Sequence, residues 1–206
     1  MKLTHQHQDT LLAIAKHSAL TGLEQSSCNG FETLESVLEQ RLDQNLEKEN
    51  DVLSLPAATF VTLHKFEQLR GCIGSLQAVR SLAEDVAHNA FNAAFRDPRF
   101  NPVKQTEFTD LNIEISVLTK PEPMSGSHSF ELFLEQLQQN RDGLILTEGY
   151  KRATFLPSVW EQVANKEEFV RHLMNKAGIT QWSEQIQCER YYSISFSQDW
   201  NEIKSI

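Results

Sequence analysis

A chain of 206 residues with 40% hydrophobic and 23% charged side chains suffices for one ordinary domain or two small interleaved lobes, and is too apolar to be disordered. Its formal net charge of −9 opposes non-specific duplex binding, which depends on neutralising phosphates. No apolar run reaches the ~18 residues of a membrane span, and the start, Met1 to Asp9, lacks the apolar core of a secretory signal.

Residues 8–24 read as an amphipathic helix with Leu12, Ala15, Ala19 and Leu23 on one stripe. A second helix is expected from about Thr33, with Leu34, Val37, Leu38, Leu42 and Leu46 at three- and four-residue steps. Past Pro56 the pattern changes to period two. Thr59 to Lys65 alternates, a turn at Phe66-Glu67-Gln68 follows, and Leu69 to Leu76 returns as the second arm of a hairpin. In extended geometry Arg70, Cys72 and Gly74 would share one face, with Leu69, Gly71 and Ile73 on the other. Ser81 and Glu84 carry a capping-box pattern ahead of Val86, Ala87, Ala90, Phe91 and Ala94, a helix that ends before Asp97-Pro98. Leu111, Ile113, Ile115 and Val117 then mark a strand.

A similar order returns further on. Gly143 to Thr147 and Arg152 to Leu156 read as two strands, Pro157 opens a short helix, and Asn165 with Glu168 caps another that Gly178 stops. Tyr192, Ile194 and Phe196 read as a closing strand. The expected class is α+β: antiparallel sheets with flanking helices, in a single domain over 1–206. Within it lie a helical part at 8–58, a first α/β unit at 59–118 and a second at 141–197, an order that suggests internal duplication.

The run Gln68-Leu69-Arg70-Gly71-Cys72-Ile73-Gly74-Ser75-Leu76 sets a cation, a thiol and two glycines within five residues. Together with Phe60 to Leu63, Ser81 to Ala87, Ala94 to Phe100, Ile115 to Leu118, Arg141 to Leu146 and Arg152 to Gln162, it resembles the AMMECR domain family, which includes the AmmeMemoRadiSam system protein A of bacteria and archaea. The likeness runs over roughly residues 8–197. The resemblance implies a larger and a smaller lobe built on antiparallel sheet, and an association with Memo-like and radical-SAM partner proteins. It implies no catalytic residues.

Cys72 is the candidate nucleophile or redox thiol. A neighbouring cation raises the thiolate fraction, and Arg70 is the expected neighbour. The competing reading is a small residue packed in a strand, typical of cysteine without a disulfide, and the sequence favours it because no general base is assured. Arg70, Gly71, Gly74, Arg96, Arg99 and Arg152 form a candidate ligand-binding set, the arginines as guanidinium forks for a small anionic ligand. Asp97 and Glu114 are the alternative partners, as ion pairs. This set suits the charge pattern: net −5 over 1–58, +2 over 59–106 and −6 over the remainder.

No Cys-x-x-Cys, His-Glu-x-x-His, dinucleotide fingerprint or phosphate loop is present, so neither metal nor cofactor is expected. Three widely spaced cysteines, Cys28, Cys72 and Cys188, fit a reducing compartment, and the expected location is the cytoplasm. The resulting expectation is an accessory protein with an anionic-ligand or enzyme-like site at Leu69–Gly74. The alternatives are a protein-docking module without catalysis and, more remotely, an RNA-binding protein.

Overall fold

The computed structural model describes residues 2–25, 50–125 and 129–204, which form two compact units, 1–118 with 194–206 and 119–193. The helix expected from Thr33 lies outside the described residues, as does Cys28. Among the described residues no helix is long and apolar enough to cross a membrane.

The first unit opens with helix α1 (His5–Gln25) and a short α2 (Asn50–Ser54). A hairpin of β1 (Pro56–Lys65) and β2 (Gln68–Gly74) follows, then the two-residue β3 (Arg80–Ser81), helix α3 (Leu82–Phe95) and strand β4 (Leu111–Leu118). The cap of α3 is the one its sequence spells. The Ser81 hydroxyl accepts the Glu84 amide, and the Glu84 carboxylate accepts the Ser81 amide at 3.0 Å. Alternation sends Val61 and Leu63 of β1 and Ile113, Ile115 and Val117 of β4 inward, where Leu11, Ile14 and Ala15 of α1 and Val86, Ala87 and Ala90 of α3 complete the core. Burial on α1 is wider than a stripe, since residues 10–16 are all buried.

The second unit holds β5 (Glu122–Pro123), α4 (Phe130–Gln136), β6 (Gly143–Glu148), β7 (Lys151–Phe155), α5 (Lys166–Ala177) and β8 (Gln187–Tyr191). Its sheet runs β5-β8-β6-β7, with Phe133, Leu144, Leu146, Phe169, Val170 and Leu173 in a separate core. Asn165 caps α5 and Gly178, at φ 75°, ends it.

The last strand, β9 (Ser193–Asp199), departs from expectation. Ile194 and Phe196 belong with the first unit, not the second, because β9 joins β4 to give the order β2-β1-β4-β9. The Trp200 amide donates to the Leu111 carbonyl and the Ser195 hydroxyl meets that of Ser116, the opposed numbering of antiparallel neighbours. The strand that sits in the second sheet as β4 sits in the first is β8, which the sequence reading missed.

Candidate site on the outer face of the first sheet

The turn between β1 and β2 has only two residues, Phe66 at φ 49° and Glu67 at φ 63°. Both are left-handed, the type I′ geometry that matches strand twist but that asparagine and glycine adopt more easily. Past the turn the pairing jumps from His64↔Leu69 to Leu63↔Gly71, which leaves Arg70 as the extra residue of a β-bulge. The strict alternation expected through Arg70 therefore does not hold. Its guanidinium runs to the Glu107 carboxylate in two bonds of 3.0 and 3.1 Å, and to the Asn101 and Pro102 carbonyls. With the Arg70 hydrogen bond foremost, against the opposing effect of burial, Glu107 is held down to about 2.

Beyond the bulge Cys72 faces outward opposite Thr62, whose hydroxyl donates to the sulfur at 3.3 Å. The cation beside this cysteine is Arg99, not Arg70. Asp97 accepts the Cys72 amide at 2.8 Å, and Arg99 donates to the Cys72 carbonyl at 3.1 Å. Between themselves Arg99 and Asp97 make a 2.9 Å bond and a 2.6 Å ion pair. Hydrogen bonds from Arg99, then from the main chain of Cys72 and Arg99, keep the Asp97 carboxyl well below the usual carboxylate range, although burial works the other way. Attraction to Asp97, with a smaller share from Cys72, raises Arg99. The two side chains thus take the place of a neighbouring strand on the exposed edge of β2.

The glycines answer to neighbours within the chain. Neither Gly71 nor Gly74 has a positive φ. A β-carbon on Gly71 would run into the main-chain carbonyl of Ala93 in α3, and one on Gly74 would meet the ring of Phe60 and the carbonyl of Thr59. Close helix-to-strand approach explains the first, and an aromatic ring lying across the strand the second.

The arginines do not gather into one fork. Arg96 stacks over the Phe91 ring at 5.0 Å. Arg152 is in the second unit, 3.9 Å from Glu189. Asp97 does pair with an arginine, whereas Glu114 is half-buried on β4 with no ion pair among the described residues. Register places Cys72, Thr62 and Glu114 side by side across three strands. Two residues toward the hairpin, the same face continues through His64 and Asn112, and Asn112 donates to Asp199 at 2.8 Å. There a groove of about 640 Å³ opens, lined by His64, Phe66, Glu67, Asp110, Asn112 and Asp199 among others, and Cys72 is not part of its wall.

Sequence reasoning missed the hub beneath the sheet. Asp85, fully buried on α3, accepts the Thr59 amide and hydroxyl at 2.8 Å each, the Ser75 hydroxyl at 2.7 Å and the Asn89 amide at 3.0 Å. A carboxylate on the apolar side of an amphipathic helix was the available signal. It ties Ser75, just past the thiol-bearing strand, to the helix.

A family model described as AMMECR1 matches residues 28–196. Protein MJ0810 of Methanocaldococcus jannaschii is 37% identical over 137 residues, covering 65% of this chain and 68% of its own length. A Thermotoga maritima protein is 36% identical over 137 residues, covering 66% of this chain and 74% of its own. The crystal structure of the uncharacterised protein PH0010 from Pyrococcus horikoshii superposes with a TM-score of 0.79 at 26% identity, covering 97% of this chain and 95% of that one.

Proposed function

This chain belongs to the AMMECR1 family, and from that premise we propose that it is a cytoplasmic accessory protein whose working surface is the outer face of β1, β2 and β4 around Cys72. It takes a small anionic ligand or substrate there and acts beside Memo-like and radical-SAM proteins. One observation carries this reading: a half-buried thiol sits on a main chain hydrogen-bonded at its amide and carbonyl, with a hydroxyl donor at its sulfur and a half-exposed guanidinium beside it. Reactive cysteines occur partly exposed beside a cation, and a fixed main chain is what positioning a reacting atom requires. Both arginines are paired with a carboxylate, but Arg70 is only 15% exposed beside Glu107, whereas Arg99 beside Asp97 keeps 53% of its side chain exposed and is the guanidinium placed to meet an anion.

The test is metabolite profiling of a prokaryotic deletion strain complemented with wild type or Cys72→Ser, with pull-down of partners from the same cells. The Ser variant is expected to keep its partners and reproduce the metabolite profile of the deletion. A Cys72→Ser strain with a wild-type profile would remove the thiol from the function. Loss of partners on Glu114→Arg in such a strain would make the same face a docking surface without chemistry.

A further inference from the structure

We infer that the groove at the hairpin end of the first sheet is a docking site for a basic, arginine-bearing peptide segment of a partner protein. This goes beyond the reading of Cys72 and rests on it only in that groove and thiol share one sheet face. Three features carry the inference. The groove, at about 640 Å³, is large enough for several side chains. Its wall carries Phe66, 73% exposed at the tip of the hairpin, whose ring offers a flat apolar face beside the carboxylates. Its charge is one-sided: Glu67, Asp110 and Asp199 line it, while Lys65, next to Phe66 in the chain, is shared between Glu107 and Asp110.

The same Phe66 ring already faces the Lys65 ammonium at 5.8 Å, so its electron-rich face suits a cation. A guanidinium meets all these demands at once, stacking flat on a phenyl ring while its N–H groups reach carboxylates. Ammonium does so less well, being compact and more strongly hydrated. His64 and Asn112 also line the groove and lie two residues along their strands from Thr62 and Glu114, so a segment seated in the groove would lead toward the thiol.

The experiment is fluorescence anisotropy on the full chain with two labelled decapeptides, alternating glycine with arginine or glycine with lysine. Wild type is expected to bind the arginine peptide several-fold more tightly than the lysine peptide. Phe66→Ala should abolish that difference, and Glu67→Gln should weaken both peptides; both residues are on the exposed turn. Equal binding of the two peptides by wild type, or wild-type behaviour of Phe66→Ala, overturns the inference. So does competition by spermidine as strong as that of the arginine peptide at equal charge, which would make the groove a site for small polyamines. Cys72→Ser should leave peptide affinity unchanged, so a failed thiol reading and a failed groove are told apart.

Discussion

The carboxylate of Asp97 accepts the main-chain amide of Cys72 at 2.8 Å, although 25 positions separate them in the chain. The turn after α3 thereby holds the edge strand at the residue that carries the thiol. Substituting Asp97 should tell whether this bond stabilises the fold. Asp97→Ala leaves the Cys72 amide without its acceptor and the Arg99 guanidinium with only the Cys72 carbonyl, and should lower stability by about 1–3 kcal/mol, discounted for the exposure of Arg99. Asp97→Asn keeps an acceptor and should lose less. Urea unfolding of the two variants provides the comparison, and equal losses would argue against the amide bond.

Acid should weaken the same region. Glu107 is held at about 2 and Asp97 lower still, both below their unfolded values near 4. A carboxyl depressed in the folded state stabilises above its unfolded pKa and loses that contribution as pH falls through the folded one. Their share of stability should therefore be complete above about pH 5 and decline progressively toward pH 2. In Glu107→Gln the decline should be shallower; a parallel pH profile would contradict the assignment.

The two motif glycines should respond differently to repair. Gly71→Ala sets a methyl against the Ala93 carbonyl, so the strand and α3 must separate, at a loss of about 1–3 kcal/mol. Gly74→Ala meets the Phe60 ring as well as main chain, so Phe60→Ala should restore part of what it loses. Thermal melts of the single and double variants measure this. A Gly71→Ala protein that melts like wild type would remove the close-approach explanation.

Thiol labelling separates the described cysteines. Burial pushes the Cys188 thiol up to about 12 and leaves it 4% exposed, while Cys72 is half-buried on an open face. In a Cys28→Ser background at pH 7.5, native protein should take iodoacetamide at Cys72 and resist it at Cys188. Mass spectrometry of peptides reports the order, and equal rates would place Cys72 in the core.

Removing the buried hub should be the most damaging change. Asp85→Ala strands the buried Thr59 amide and leaves the Ser75 hydroxyl and Arg80 without their partner, while the Asn89 amide keeps Thr59, a loss of about 3–5 kcal/mol by analogy with breaking a buried pair. Asn89→Ala, which removes one donor and leaves the carboxylate its others, should lose less. Chemical denaturation distinguishes the two.

What the sequence determined by itself was local. The capping box of Ser81 and Glu84, the alternation from Leu111 to Val117, the Asn165 cap and the Gly178 stop depend on neighbours within four residues, and each stands where its pattern put it. The motif also falls on a strand, β2, the second arm of the expected hairpin. Only the tertiary structure decided that Arg70 occupies a bulge, that Arg99 rather than Arg70 stands by the thiol, and that the glycines yield to Ala93 and Phe60. The same holds for β9, whose partner β4 lies some 80 positions earlier in the chain. Periodicity shows which face of a strand is buried, but not which strand it pairs with or where one extra residue shifts the register. Those outcomes are settled by packing between segments distant in sequence, where the hydrogen bonds of Asp97 and the approach of α3 find their partners.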